Sequence, residues 1–583
     1  MTTTAAAYLE WKRVIHAMRS PRRNEYSFVP HKYIYSTPAV LSPPHGVEFE
    51  VGNADEMTPI NTRQHQAELA RSSSVRYSGF MYLLVVIVSL TSVSTEWIEL
   101  YPISPSRLYN IQVDMFDGRV NHAEFFFQKV LPLGMLLGAL ITFILADRVG
   151  RATMIELACI PYVLGWLFVG VAFSQVTLLI GRYSLGIAVA IFSIVVPVLL
   201  AEISEDETRG RVLVSSRLVG IIGRVVYIIM GQLFVYLSSC YVSFNLSEWK
   251  VMATSGVAPG LILLLCMQFV PDSPTWLLLR HNDRLASFSI CLKILNSQCE
   301  SRNSRAEVRV NSIIHADFLS NQATDDVVGS VHQRLGFSRP LYLILWLYTL
   351  QAIASAILEP TLYPTSTNSY TFGLLGIGLN VNDWDQLILS GFLAGAAFLG
   401  LITALILVDS HGRALCLRVG TAVVALAAIL LLSMKRLGLP DENDMLNEVR
   451  SALVLLMTAG HYAGLGVCPI VLASEIFPAR RRVAGVSVVV LIGSAVSVAV
   501  SYGIYLLRSA GLSSQVMFQC SVATVGFVNI VGFVIATFFV PETKSRSLQE
   551  IEAVLCGYAA VTPPNIRTNS TIRVQKNGGY GTA

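Results

Sequence analysis

Charged residues are scarce in this sequence: 14% of its 583 residues are Asp, Glu, Lys or Arg, against 53% hydrophobic. A water-soluble domain carries nearer a quarter charged residues. A soluble globular protein is therefore excluded, and with a mean hydropathy of +0.57 bilayer thickness becomes the relevant length scale. Net charge is also low. A formal +4 gives no electrostatic footprint for nucleic acid. The nine cysteines show no metal or redox spacing. Most fall in apolar stretches (Cys159, Cys266, Cys468, Cys520) or in stretches assigned to the cytosol (Cys291, Cys299, Cys556). Cys240 alone is assigned outside, so no structural disulfide is expected. No nucleophile–base spacing, P-loop or metal cluster is present, which excludes an enzyme and calls for no cofactor or metal. Residues 1–77 are polar and hold no apolar core. No secretory signal is therefore expected before the first apolar run, and the tail reads as disordered and cytosolic.

What is present is apolar length. Runs long enough to cross a bilayer fall near 79–100, 127–146, 153–174, 177–200, 212–237, 252–270, 340–362, 385–408, 414–433, 451–473, 485–507 and 516–540, which predicts twelve helices. An even number puts both termini on one side. Alternate loops hold roughly seventeen Lys and Arg on the side of Arg148, Arg209, Arg339 and Arg480, against about eight on the other, so both tails are placed in the cytosol. Asn245-Leu246-Ser247 then lies outside as a glycosylation candidate, and Asn569-Ser570-Thr571 inside, where none is expected.

The organising stretch is Ala146-Asp147-Arg148-Val149-Gly150-Arg151, a charged knot behind an apolar run. Gly permits a sharp turn, and the charges suit neighbouring helix ends. A weaker copy, Asp409-Ser410-His411-Gly412-Arg413, follows a later run. Asp147 to Asp409, Glu202 to Glu475 and Pro271 to Pro541 are each about 260 to 275 residues apart, as expected of two six-helix halves in tandem. Glu202 precedes Arg209 by seven residues and Glu475 precedes Arg482 by seven. The division expected is a disordered cytosolic tail over 1–77, bundles over 78–270 and 339–540, and a cytosolic tail over 541–583. Between the bundles, 271–338 is a polar linker with an amphipathic patch at Ala286–Leu295, joining the halves without fixing them rigidly.

Several of these stretches form a pattern. Leu179-Ile180-Gly181-Arg182 with Gly186, Pro197, Glu202, Arg209 and Gly210 resembles the fourth-helix signature of the sugar porter family of the major facilitator superfamily. Asp147-Arg148-Val149-Gly150-Arg151, Pro271-Asp272-Ser273-Pro274-Thr275-Trp276-Leu277-Leu278, Ser474-Glu475-Ile476-Phe477-Pro478 and Pro541-Glu542-Thr543-Lys544 fit the same family, and the resemblance covers about 79–552. It implies an all-α membrane protein with twelve transmembrane helices in two pseudosymmetric six-helix bundles, the major facilitator fold. The two bundles would rock about a central site for a small-molecule solute, embedded in the lipid bilayer, with a monomer as default and the plasma membrane as the family's usual location.

The gate follows from charge alone. Glu202 and Glu475 end helices four and ten at the face that also holds Asp147, Arg148, Arg151, Arg209, Asp409, Arg413 and Arg482. Carboxylates and guanidiniums placed there form pairs across the halves when that side is closed, and they bias a two-state equilibrium. Ser410 stands where the first copy has Arg148, so the first half is expected to hold the gate more firmly.

The interior departs from the family. Its seventh-helix Gln-Gln pair appears as Gln351-Ala352. Ile357, Ala397, Ile470 and Gly493 stand where the family places polar or aromatic groups, and Tyr462 holds the tenth-helix glutamate position. A desolvated polyol needs many paired donors and acceptors, so ordinary hexose recognition is weakened. Arg217 takes a position that usually holds Gln, and Arg224, seven residues on, shares its helical face. An Arg at a helix centre costs about 2.5 to 3.5 kcal/mol. No acid is read at similar depth: Glu96, Glu99 and Glu359 fall near the outer ends. Two readings stay open: a cavity that favours an anionic group, or Arg217 in the inner gate with Arg224 on backbone or water. His461 adds a polar group near midplane, either a proton site or a hydrogen-bonded packing residue.

Proton symporters of the family use a first-helix Asp near the fourth-helix Arg. Arg182 is present, but Leu90-Thr91-Ser92-Val93-Ser94-Thr95 holds no Asp and Glu96 is the nearest substitute, so facilitated diffusion is favoured over proton coupling. Three functions are carried forward: a facilitative carrier of a sugar-like solute, an organic-anion carrier using Arg217 and Arg224, and a non-transporting nutrient sensor.

Overall fold

The computed structural model describes residues 78–101, 111, 113–116, 120–240, 248–295, 302–325, 327–362, 383–436 and 444–556. The tail over 1–77, the sequons at Asn245 and Asn569 and residues 557–583 lie outside the described residues. The first bundle holds α1 (Gly79–Leu100), α2 (Val120–Val149), α3 (Arg151–Gly170), α4 (Gln175–Ile203), α5 (Arg209–Cys240) and a sixth span in two pieces, α6 (Glu248–Ser255) and α7 (Val257–Met267). The linker supplies α8 (Arg284–Ile294) and α9 (Arg302–Asp325). The second bundle holds α10 (Val327–Leu362), α11 (Asp383–Ser410), α12 (Arg413–Arg436), α13 (Asp444–Ala463) with α14 (Cys468–Ile476), α15 (Arg482–Ser509) and α16 (Ser514–Phe538), and α17 (Leu548–Cys556) follows. Among the described residues, twelve spans are long and apolar enough to cross a membrane, and each coincides with a run read from the sequence.

The helices begin and stop for local reasons. Ser78, Ser174 and Ser513 cap α1, α4 and α16 through their hydroxyls, accepting from amides that have no intrahelical partner. The tenth span breaks between α13 and α14, where the Gly466 amide donates to the His461 carbonyl at 2.7 Å and Pro469 opens the new helix. Within the first bundle α2 and α4 approach at backbone distance: a Cβ on Gly134 would stand 2.1 Å from the Tyr183 carbonyl oxygen, and one on Gly186 2.1 Å from that of Leu131. Small residues permit such packing where lipid supplies no hydrophobic drive between helices.

The halves meet along two seams, α2 on α15 and α5 on α11. The linker is a correction to the sequence reading, since α9 bonds to both bundles. Arg309 donates to the carbonyls of Glu202 at 2.8 Å and Ser204 at 3.1 Å, filling acceptors exposed at the end of α4. Asp317, two turns on, pairs with Arg480 at 2.5 and 2.8 Å.

Candidate functional site

The two charged knots are one device used twice. Gly150 and Gly412 have φ of +108° and +104°, a region that L side chains rarely adopt. Each turn sets the start of the next helix against the acid of a Pro-acid step. Asp272 accepts from the Ala152 amide at 2.8 Å, while Glu542 accepts from the amides of Arg413 at 3.0 Å and Ala414 at 3.2 Å. A carboxylate at a helix N-terminus satisfies open donors and meets the positive end of the helix dipole. A Cβ on Gly150 would lie 2.5 Å from Asp272, and one on Gly412 2.2 Å from Glu542.

Around these turns the predicted gate charges gather, all at one end of the bundle. In the first half, Arg151 lies 3.2 Å from Asp147 and 3.4 Å from Glu202. The second contact lacks hydrogen-bond geometry, leaving Arg151 Nε and Glu202 Oε2 buried without a hydrogen bond. In the second half, Arg413 grips Glu475 with two bonds, Nη2–Oε1 at 2.7 Å and Nε–Oε2 at 3.2 Å. It also reaches Asp409 at 2.9 Å, and the Thr543 hydroxyl donates to Glu475 at 2.5 Å. The bidentate pair belongs to the second half and does not cross between the halves.

Among the described residues, two ion pairs cross between the halves. Arg482 Nη1 lies 3.2 Å from Glu202 Oε1. Arg211 donates to Asp409 from its amide at 2.8 Å and from Nε at 3.2 Å. The pseudosymmetric counterpart of the first, Arg209 to Glu475, is not formed. Arg209 instead binds Asp206 and the Arg546 carbonyl, and Glu475 keeps to its own half. Arg148 is exposed and makes no ion pair among the described residues. Arg280 binds Asp147 at 3.2 Å and the Trp276 indole donates to the Asp147 carbonyl at 2.9 Å, tying the start of the linker to the first knot. Arg211, Thr543, Arg309 and Asp317 were not singled out from the sequence. Arg211 carried one weak signal, its place directly after the fourth-helix motif.

Above these ion pairs lies a small cavity of about 30 Å³, space for one or two waters. Its polar lining is Thr91, Ser92 and Thr95 of α1, Ser193 of α4, and Ser216 and Arg217 of α5, and Ile470 closes it from the second half. Arg217 makes no hydrogen bond or ion pair among the described residues. The Tyr348 ring packs where a Cβ on Gly493 would stand 2.7 Å away. An aromatic side chain thus fills the space that opens where the family places an Asn.

Arg224 requires correction. It is not a cavity cation: it is 2% exposed and holds Glu96 Oε2 through Nε at 2.6 Å and Nη2 at 2.5 Å. α5 begins at Arg209, so Arg224 stands about 22 Å along it, and Glu96 about 26 Å along α1, which runs in the same direction (1.5 Å per residue). Gly220 lets the two helices approach, with Glu96 Cγ 3.3 Å from the position of its missing Cβ. Glu96 is therefore committed to Arg224, and the suggested Glu96–Arg182 pair is not formed: Arg182 donates to the Ile98 carbonyl at 2.9 Å.

Nor do Gln351, His461 and Tyr462 line the cavity that Arg217 lines. Gln351 donates to the Gly466 carbonyl at 3.4 Å and His461 Nε2 meets the Ser355 hydroxyl at 3.2 Å. Tyr462 stacks edge-on to His461 at 5.7 Å. These side chains brace the break in the tenth span, and the packing reading of His461 fits.

Paired six-helix bundles, joined along two seams and tied at one end by ion pairs, are the construction of the major facilitator carriers. The backbone agrees with solved members. The proton:xylose symporter XylE bound to 6-bromo-6-deoxy-D-glucose superposes with a TM-score of 0.70 at 19% identity, over 82% of this chain and 99% of that one. The inward-open conformation of XylE from E. coli gives 0.56 at 18% identity, over 81% and 99%. Sugar transporter ERD6-like 16 of Arabidopsis thaliana is 26% identical over 452 residues, 75% of this chain and 84% of that protein. Residues 115–555 match the family model described as sugar (and other) transporter: the chain belongs to this family. It is an integral, multi-pass membrane carrier and not an enzyme.

Proposed function

We propose that this chain carries a small polyhydroxylated solute by alternating access, by facilitated diffusion rather than with a proton. The observation that carries the reading is the pair of bridges between the halves, Glu202–Arg482 and Arg211–Asp409, set directly beneath a hydroxyl-lined cavity. Ion pairs that join two bundles at one end alone must break for that end to open, so they set the balance between two states. Their partly unsatisfied geometry at Glu202 suits a contact that forms and breaks. Facilitation is supported by what occupies the acid-bearing side chains. Glu96 is neutralised by Arg224, and Arg182 is bound to a carbonyl, so neither is set up as a proton relay.

The Arg-rich end is the cytosolic gate, closed in this conformation, with both tails on that side. The bundles over 78–270 and 339–540 are the moving bodies, and 271–338 is the strap between them. The plasma membrane is the site of action. The test is uptake of labelled xylose, glucose and glucuronate into proteoliposomes with and without a pH gradient. Saturable uptake indifferent to the gradient is expected; uptake that collapses without the gradient overturns facilitation, and binding without flux for every solute overturns transport.

A further inference from the structure

Most of the interior guanidiniums among the described residues have a carboxylate partner, and Arg182 has a carbonyl. Arg224 has Glu96, Arg413 has Glu475 and Asp409, Arg482 has Glu202, and Arg151 has Asp147 and Glu202. Arg217 is half-buried on the wall of the central cavity, and no carboxylate among the described residues pairs with it. A guanidinium in a membrane-spanning helix is costly unless it meets an anion, a dipole or water. The rest of the wall is divided between hydroxyls, from Thr91, Ser92, Thr95, Ser193 and Ser216, and apolar side chains such as Phe192, Leu200 and Leu213. Thr91 and Thr95 commit their protons to the carbonyls of Val88 at 2.6 Å and Ser92 at 2.8 Å, which leaves their lone pairs facing the cavity as acceptors. Ser92 and Ser216 share one bond at 3.1 Å, and the Ser193 hydroxyl bonds to no described residue. Acceptors suited to sugar hydroxyls therefore share the lining with one guanidinium and with apolar side chains, and no acid lines the cavity.

We propose that the solute carried here is a sugar acid, a polyhydroxylated monocarboxylate whose carboxylate docks on the Arg217 guanidinium while its hydroxyls donate to the threonine and serine oxygens. The proposal rests on the carrier reading above. A planar guanidinium matches a carboxylate with two parallel bonds. A neutral hexose would fill the same volume but leave the cation without a partner once water is displaced, and such a loss weighs against the wrong solute more than it favours the right one. The cavity as it stands admits one or two waters, so the solute enters when the halves separate.

The test measures binding and flux separately on the full chain. Binding of glucuronate and glucose to the purified protein is followed by calorimetry, and uptake of each is measured in proteoliposomes. Glucuronate should bind about ten- to a hundredfold more tightly than glucose, the scale of a charge-assisted bidentate contact. Arg217→Gln should remove that preference and Arg217→Lys should keep part of it, with both variants monodisperse on size exclusion. Equal binding of the two solutes by the unaltered protein overturns the proposal. So does an equal loss for both in Arg217→Gln, which would make Arg217 a packing residue. Saturable glucose flux without glucuronate preference leaves the carrier reading standing and sinks this one. Glucuronate binding that depends on Arg217 but gives no flux keeps the site and sinks the carrier reading.

Discussion

Glu202 is the carboxylate on which the closed state should depend most, and Glu202→Gln isolates its part. The wild-type side chain meets Arg482 of the other half at 3.2 Å and Arg151 of its own at 3.4 Å. The amide keeps the shape and one weaker acceptor, but leaves two buried guanidiniums facing a neutral group. That cost falls on the closed state, because once the halves part Arg482 is hydrated. A hydrogen bond to a charged group contributes about 1.5–3 kcal/mol, a factor of about 10 to 150 in the closed-to-open ratio.

The structure contains its own reporter. The Arg211 amide, in the first turn of α5, has no intrahelical acceptor and is held by Asp409 across the interface at 2.8 Å. Its hydrogen exchange therefore follows separation of the halves, and mass spectrometry of the peptide over 205–215 should show that amide exchanging at least about tenfold faster in the variant. The amides of Ala152 and Ala414 are capped within their own halves by Asp272 and Glu542 and should not change. Unaltered exchange at Arg211 in a folded variant refutes the role assigned to Glu202. Acceleration at all three amides shows instead that the variant has loosened the bundles themselves.

Two more predictions concern groups outside that bridge. Glu96→Gln leaves Arg224 buried without a counter-charge, at a cost of about 3–5 kcal/mol. Adding Arg224→Leu should recover most of it, so thermal denaturation in detergent should rank the double variant above the Glu96→Gln single; a double variant no more stable than that single would show the pair is not coupled. At the gate's outer strap, the Glu552 carboxyl of α17 accepts from the Ala479 amide at 3.1 Å, and burial raises its pKa above 4.5. A raised carboxyl pKa means the docked helix binds the proton more tightly than the released one. Docking is therefore strongest below the ordinary value and weakens as pH rises through the raised one. Hydrogen exchange over 548–556, corrected for its intrinsic pH dependence, should show protection falling with rising pH in the wild type and not in Glu552→Gln.

Twelve spans, their tandem repeat and most of the charges that meet at one end of the bundles were legible in the sequence. Apolar length is a local property, and the paired landmarks at Asp147 and Asp409, Glu202 and Glu475, Pro271 and Pro541 repeat in one order. The partners were not legible. That Asp272 caps α3 and Glu542 caps α12 depends on two chain segments about 120 residues apart meeting at one turn. That Glu202 bridges the halves while Glu475 does not depends on a break of symmetry to which two similar motifs are blind. Arg217 and Arg224 look equivalent by spacing, one face and seven residues apart. Only the tertiary structure separated them. α1 runs beside α5 at the depth of Arg224, where Gly220 gives room for Glu96, and no acid among the described residues pairs with Arg217. Helix propensity and hydropathy are written residue by residue, but whether a buried charge is neutralised depends on which helix packs beside it and at what height.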